Sequence, residues 1–138
     1  MSETLAIETW LYETLSDPDT GILDLATGVY ADQAPEDAPF PYVVYQLREG
    51  TDMPVMGASA RAVRAHYLIR AVDHSPSKVA AAEIADAIDD LIEKASGSVT
   101  GATIIGAIRN QPFEMVETQG GETYMHVGGI YRVYAGEG

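Results

Sequence analysis

The amino-acid sequence predicts an α+β fold in which an antiparallel β-sheet is packed on one side by two helices. Apolar residues recur at helical spacing over residues 3–15 and 76–95, which indicates two helices. Extended runs follow each of them, and most connections are short enough for antiparallel pairing. The order is therefore helix, strands, helix, strands. The length of 138 residues and the absence of an internal repeat predict a single domain over residues 1–138.

The first helix is predicted from one apolar face and a clear end signal. That face carries Ile7, Trp10, Leu11 and Leu15. The sequence SDPDTG at residues 16–21 then favours a turn over further helix. Residues 21–32 are predicted to be a short extended piece or loop. Residues 33–41 contain three prolines, which keep the chain out of helix.

The opening strand of the sheet is predicted over Tyr42–Arg48, and it is apolar on both faces. Alternate side chains point to opposite sides of a strand, so Tyr42 and Val44 share one face while Val43 and Tyr45 share the other. Near-continuous apolar runs are typical of strands that are covered on both sides. We therefore expect a second layer to cover the face that the helices leave free.

The connection after this strand is predicted to be unusually long, over residues 49–62. Hairpin loops normally have about 2 to 5 residues, so a longer loop is either mobile or a contact surface. Met53, Val55 and Met56 favour a contact surface, because methionine adapts to irregular partners. The strand that follows has a more usual half-buried pattern, with Arg64, His66, Leu68 and Arg70 on one side.

The second helix is predicted over residues 76–95, with Ser75 as its cap and Pro76 at its first position. Its apolar stripe is the most regular pattern in the chain. Its polar side carries five carboxylates: Glu83, Asp86, Asp89, Asp90 and Glu93. A divalent-cation loop needs clustered oxygens on a bent backbone with a glycine. These acids instead indicate a solvated helix face.

The last part of the chain is predicted to be extended. Residues 102–109 form a strand, residues 110–112 interrupt it, and the extended chain continues to a turn at Gly120-Gly121. A final strand covers residues 123–135. The pair Gly128-Gly129 within it indicates a bulge or the close approach of another backbone rather than a ligand site.

Composition excludes several classes of function. The 21 acidic and 8 basic residues give a formal charge of −13, which argues against binding to a phosphate backbone. The alternative left open is a local basic patch, formed by Arg48, Arg61, Arg64 and Arg70. The absence of cysteine removes disulfides and thiolate chemistry. Neither a signal peptide nor a membrane-spanning run is recognisable, so we expect a soluble protein made inside the cell.

No enzymatic constellation is predicted, and we expect no catalytic residue, cofactor or metal. The three histidines, His66, His74 and His126, lack the spacing of a zinc site. The run GATIIG at residues 101–106 lacks the Lys-Ser/Thr pair of a phosphate loop. Ser59 lacks the last glycine of a nucleophile elbow. A hydrolase would require a deep pocket around Ser59 or two histidines.

Several of these segments together resemble the bacteriophage tail-completion, or tail-terminator, family. They are the N-terminal helix, APEDAPFPYVVY at residues 34–45, the central strand and long helix, and GGIYRVYA at residues 128–135. The resemblance implies an antiparallel sheet with helices on one side. It further implies a non-enzymatic virion protein whose copies close into a ring, usually six-fold. The central strand departs from the family pattern, because HYLIRAV at residues 66–72 does not end on an aromatic residue.

The resemblance also implies location and partners. Such a ring sits at the head-tail junction of the virion, is assembled in the host cytoplasm, stops growth of the tail tube and joins the tail to the neck. Its partners are further copies of itself, the major tail tube protein and a head-tail connector or stopper. DNA passes through its channel without specific binding, and no membrane is involved.

A ring offers an explanation for the unexplained surfaces of the chain. A head-to-tail interface uses two different patches of each subunit. The expected subunit or tube interface consists of Tyr42, Val44, Tyr45, Met53, Val55 and Met56. The acidic helix face would line the channel or meet solvent. Two alternatives remain: a neck adaptor, stopper or other tail-associated subunit, and a small module that binds a peptide or metabolite on its exposed sheet.

Overall fold

The computed structural model describes residues 3–54, 61–93, 95–99 and 102–137. Two longer helices, two short helical turns and the strands of one sheet account for most of them. In chain order these are α1 (Glu3–Ser16), a 3-10 turn (Pro18–Thr20), α2 (Ile22–Leu25), β1 (Val29–Ala31), β2 (Tyr42–Pro54), β3 (Arg61–His74), α3 (Val79–Ile92), β4 (Gly97–Val99), β5 (Ala102–Gln119) and β6 (Glu122–Glu137).

The sheet is mixed rather than purely antiparallel, which corrects the predicted topology. Within the described residues its six strands lie in the order β1-β2-β3-β6-β5-β4. All neighbours are antiparallel except β1 and β2, which run parallel with Val29 opposite Val43. The prediction missed β1 because its three residues follow a four-residue helix, α2, inside a segment that reads as a loop. The predicted α+β class is confirmed, and the sheet curls into a half-barrel.

One hydrophobic core lies between the sheet and helices α1 and α3. Its large, fully buried side chains include Ile7 and Leu11 from α1, Ile84 and Ile88 from α3, and Tyr67 from β3. Helix α1 contacts β1 at one edge of the sheet and β4 and β5 at the other, so the sheet curls around it. At the β4 edge the contact between α1 and the sheet is tight, because a Cβ on Gly97 would lie 2.9 Å from Nε1 of Trp10.

The two predicted helices are confirmed, but α3 is shorter than predicted at both ends, since it stops at Ile92 and not at residue 95. Helix α1 ends at Ser16, close to its predicted end. Helix α3 begins at Val79, not at Pro76, and Ser75 is not its cap. Two consecutive serine turns delay the start: the Ser77 N–H donates to Ser75 Oγ at 3.0 Å, and the Val79 N–H donates to Ser77 Oγ at 3.3 Å. Local side-chain bonds of this kind compete with helix.

The strands are longer than predicted. Strand β2 continues to Pro54 and β3 begins at Arg61, so the predicted loop over residues 49–62 is mostly paired strand. The register shifts between Leu47 and Glu49, which marks a bulge.

Strand β5 also continues through the interruption predicted at residues 110–112. The register shifts between Arg109 and Gln111, so one extra residue is absorbed as a bulge. Pro112 lies in a part of β5 that β4 does not reach, and edge strands are where proline is tolerated in a sheet.

The glycine pairs behave as predicted. Gly120 and Gly121 connect β5 to β6 with φ of 61° and 82°, the two positive values that a tight hairpin turn requires. At Gly128 the backbone of β3 approaches closely, since a Cβ there would lie 2.0 Å from the Ile69 carbonyl oxygen and 2.6 Å from Arg70 Cα. Any residue other than glycine would push β3 and β6 apart.

Candidate interaction surface

The sheet has a core face and a second face that carries three arginines. Ala65, Tyr67 and Ile69 belong to the core, so the alternate residues of β3 point away from α1 and α3. We call this second face the arginine face. It is defined by Arg64, Arg70 and Arg132, the last of which lies on β6. Of the four arginines considered as a local basic patch, Arg64 and Arg70 share this face, Arg48 lies at the bulge in β2, and the Arg61 side chain lies outside the described part of the chain. Arg132 joins them without having been indicated by the sequence.

The part of the arginine face beside β2 is covered by the chain itself. Val44, Leu68 and Val72 lie on this face, yet they are 1%, 3% and 2% exposed. Residues 33–41, which precede β2, bring Phe40 over this end of the sheet. This face of β2 is thus buried within a single chain, without the neighbouring copy that the ring interpretation placed there.

An aromatic cluster forms this cover. The Phe40 ring lies 5.1 Å from that of Tyr42 and 5.5 Å from that of Tyr124. Tyr124 stacks on His74 at 4.8 Å, and Tyr30 of β1 meets Tyr42 edge-on at 5.8 Å. Offset and edge-to-face pairs at these separations are attractive beyond the area they bury. The cluster thus anchors the segment before β2 to both β3 and β6.

A chain of hydrogen bonds crosses four strands next to the aromatic cluster. Arg70 donates from Nη1 to Gln46 Oε1 at 2.5 Å and from Nε to His126 Nδ1 at 3.2 Å. Since Nδ1 accepts, the ring proton lies on Nε2, which donates to Glu117 Oε1 at 2.9 Å. Burial lowers the pKa of Arg70 from its ordinary value. The chain of bonds satisfies the buried His126 and holds β2, β3, β6 and β5 in register.

The other end of the arginine face is less completely paired. His66 lies directly opposite Arg132, and Arg64 is the diagonal neighbour of Arg132. The Nε atoms of Arg64 and Arg132 are buried without a hydrogen-bond partner among the described residues. His66 Nδ1 lies 3.3 Å from Glu49 Oε1, outside hydrogen-bond geometry. Arg64 and Arg132 thus place two positive charges on adjacent strands without a carboxylate paired to either among the described residues.

A cavity of about 340 Å³ opens beside these cations. It is lined by Arg48, Glu49, His66, Asn110, Gln111 and Ile130. Arg48 reaches it from the bulge in β2, and Asn110 and Gln111 reach it from the bulge in β5. Both departures from regular pairing therefore shape the same place on the arginine face.

The residues predicted to form a subunit or tube interface fall into three groups. Val44 and Tyr45 are 1% and 4% exposed, so they offer a neighbour little surface. Tyr42 is half-buried in the aromatic cluster. Val55 and Met56 lie outside the described residues, and Met53 is described only as backbone of β2. The interface role stays a prediction.

Tyr45 nevertheless borders a groove on the core side of the sheet edge. The groove has a volume of about 450 Å³ and runs between α1 and β1, where Leu5 and Tyr12 are 54% and 50% exposed. Burial, with the Glu8 carboxylate as the next cause, raises the pKa of Tyr45 to about 12. Burial and a hydrogen bond to Glu8 at 3.1 Å also raise the pKa of Tyr67.

The acidic face of α3 divides into two sets, although a uniformly solvated face was predicted. Asp89 accepts from Tyr131 Oη at 3.0 Å and lies 3.5 Å from Arg109 Nε. Glu93 Oε2 accepts from the backbone N–H of Arg109 at 2.5 Å. These two carboxylates join α3 to β5 and β6. Burial, together with the bond to Asp89, raises the pKa of Tyr131.

The remaining acids of α3 are exposed and form a continuous stripe. Glu83, Asp86 and Asp90 make no ion pair within the described residues. Their spacing places them on one side of the helix. Because α3 packs on the core face through Ile84 and Ile88, this acidic stripe lies on the opposite side of the molecule from the arginine face.

Strand β5 exposes apolar side chains along an edge that β4 covers only at Ala102–Ile104. Ile105, Ile108, Met115 and Val116 are between 41% and 62% exposed. An exposed strand edge can pair with another chain. The bulge before Gln111 and the ring of Pro112 break the regularity that such pairing needs.

The described residues contain no group of three or more His, Asp or Glu side chains placed to hold a metal ion. Ser59, the nucleophile considered from the sequence, lies outside the described residues. The three histidines point to separate carboxylates, Glu49, Glu122 and Glu117. None of the helices in the described ranges is long and apolar enough to cross a membrane.

Comparison with known proteins identifies related sequences and folds. The family model of the tail completion protein gp17 matches residues 11–127. A solved chain described as "Virion of native gene transfer agent (GTA) particle" has a TM-score of 0.72 and 16% identity, and the match covers 99% of this chain and 98% of that one. A second solved chain, described without a function, has a TM-score of 0.55 and 17% identity, with 99% and 96% covered. No curated protein sequence matches this chain.

Proposed function

The chain belongs to the tail completion protein gp17 family, whose members are structural proteins of bacteriophage tails, and from this premise we propose that it is a tail terminator. In this proposal copies of the chain close into a ring, usually six-fold, at the head-tail junction. The ring caps the tail tube and joins it to the neck. Its partners are the tail tube protein and a connector or stopper, and DNA passes through the ring without specific binding.

One observation carries the proposal of a ring: the chain has two unlike charged surfaces on opposite sides. The arginine face and the acidic stripe of α3 are separated by the whole thickness of the core. A head-to-tail interface uses two different patches of the same subunit and closes into a ring when the rotation between copies allows. The fold shared with a chain of a gene transfer agent virion supports a place in a virion.

Two other functions are kept as alternatives. A neck adaptor or stopper belongs to the same class, and it would bind the neck without limiting tube length. A small binding module is favoured by the cavity lined by Arg48 and His66, because the Arg48 guanidinium suits an anionic peptide or metabolite. Such a module would act as a monomer.

The test measures both assembly and tube length. The purified chain, alone and with tail tube protein, is examined by light scattering after size exclusion and by negative-stain electron microscopy. We expect rings on tube ends and tubes that stop growing when the chain is added. A chain that remains monomeric under both conditions would overturn the terminator proposal. Rings that leave tube growth unchanged would favour an adaptor or stopper.

A further inference from the structure

We propose that the ring forms by docking the acidic stripe of one copy on the arginine face of the next. This inference rests on the proposed ring and names the two surfaces that meet in it. The acidic stripe consists of Glu83, Asp86 and Asp90. Its counterpart is the less paired end of the arginine face, around Arg64 and Arg132.

The arginine face has cations whose bonding is incomplete within one chain. Arg70 is engaged by Gln46 and His126, but the Nε atoms of Arg64 and Arg132 are buried without a partner among the described residues. A buried donor that is left unpaired costs free energy, and it gains most from a charged acceptor. Both residues are part-exposed, so the rest of each guanidinium group remains available to a carboxylate from outside the chain.

The acidic stripe supplies carboxylates of the required kind and geometry. Its three acids make no ion pair with any residue that the structure describes, whereas Asp89 on the same helix and Glu93 just after it bond to β5 and β6. From Glu83 to Asp90 the helix advances by about 10 Å. Arg64 and Arg132 are diagonal neighbours on adjacent strands, so the two patches are comparable in extent.

A second copy of the chain accounts for both surfaces with one contact. Each copy presents one basic patch and one acidic patch on opposite sides, so head-to-tail docking leaves neither unpaired within a closed ring. A nucleic acid on the arginine face would leave the acidic stripe unexplained, and the overall charge of −13 repels a polyanion. Under this assignment the acids of the stripe lie between subunits rather than in the channel.

The experiment exchanges the charges of the two patches in the full-length chain. One variant carries Arg64→Glu and Arg132→Glu, and the other carries Asp86→Arg and Asp90→Arg. Each alone places like charges across the interface, and we expect the concentration needed for assembly to rise by about a hundredfold or more. Mixed in equal amounts, the two variants present opposite charges at every contact, and we expect assembly to return in rings that alternate the two chains.

Controls separate folding from assembly. Asp24→Arg with Asp37→Arg makes the same charge change as the variant of the acidic stripe, at exposed sites outside both patches, and we expect it to assemble as the wild type does. Arg64→Gln with Arg132→Gln is a milder sheet variant, in case glutamate at half-buried positions prevents folding. Melting curves by circular dichroism verify that each variant is folded.

The outcomes distinguish this proposal from the ring itself. If the wild type forms rings and the mixture of folded variants does not, the ring stands and this contact is wrong. The contact is also wrong if the arginine variants assemble normally but lose retention of a short DNA duplex, because the face would then serve nucleic acid. If the wild type never assembles, the proposed function fails first. Weakening of the wild-type ring in high salt supports the proposal, since charges are screened within about 3 Å at 1 M salt.

Discussion

Replacing Gly128 by alanine should be among the most damaging single-methyl additions that this chain can receive. The added Cβ would lie 2.0 Å from the Ile69 carbonyl oxygen and 2.6 Å from Arg70 Cα, and both are backbone atoms of the neighbouring strand. Flexible side chains can move aside, but the backbone of a central strand is held on both sides by its own neighbours. Relief therefore requires β3 and β6 to separate.

The size of the effect follows from that separation. Moving the oxygen to an acceptable distance requires about 1 Å, which lengthens hydrogen bonds of about 2.9 Å beyond bonding range. Each buried backbone group left unpaired costs about 1 to 3 kcal/mol. With two such groups, we expect Gly128→Ala to reduce the free energy of unfolding by about 3 to 5 kcal/mol. For a chain of this length that lowers Tm by roughly 10 to 20 °C.

The neighbouring glycine provides a matched control. A Cβ at Gly129 would meet Arg109 Cδ at 3.0 Å and Tyr131 Cε2 at 3.1 Å, both side-chain atoms. Arg109 is 42% exposed along its side chain and can give way, so Gly129→Ala should cost about 1 kcal/mol or less. Urea denaturation of both variants makes the comparison. If the two substitutions lower the free energy of unfolding equally, the close approach of β3 is not the reason that position 128 needs glycine.

Two further predictions concern buried hydroxyl groups. Asp89→Ala should lower the free energy of unfolding by about 1 to 3 kcal/mol, because it leaves the Tyr131 hydroxyl without its acceptor. The same substitution at the exposed Asp86 should change that free energy by no more than about 0.5 kcal/mol. Equal urea midpoints for the two variants would contradict this prediction. The raised pKa values of Tyr45 and Tyr67 predict a loss of stability in alkali. Above about pH 10 the unfolded chain loses protons that the folded chain keeps, so the free energy of unfolding should fall by up to about 1.4 kcal/mol per pH unit for each such tyrosine. Tyr67→Phe should make this fall less steep, and an unchanged slope would contradict the assignment.

The sequence was most informative where a pattern was long and regular. The apolar stripe of α3 and the Gly120-Gly121 turn were predicted because each depends on local geometry alone: one on a repeat of 3.6 residues, the other on positive φ. The strand boundaries were less predictable. A proline in an edge strand looks the same in sequence as a proline in a loop, and only the position of β4 distinguishes them.

The candidate interaction surface could be recognised only once the order of the strands in the sheet was known. The alternation of Arg64, His66 and Arg70 was visible in the sequence, but the sequence does not indicate that Arg132 lies across from His66, because that depends on the pairing of β3 with β6. The sequence also does not indicate which acids of α3 are bonded within the chain and which are exposed. Asp89 and Asp86 occupy similar helical positions in sequence, and only the contact with Tyr131 separates their roles.

The closure of the half-barrel around α1 has a consequence for how the protein is made. Helix α1 leaves the ribosome first, yet Trp10 meets Gly97 of β4, and its helix also contacts β5 and β6, the last strands to be synthesised. Contacts of such sequence separation form slowly, since a long loop must close before they are gained. During synthesis the core around Ile7 and Leu11 therefore stays incomplete until β5 and β6 have emerged. We expect the apolar face of α1 to be open to aggregation until then.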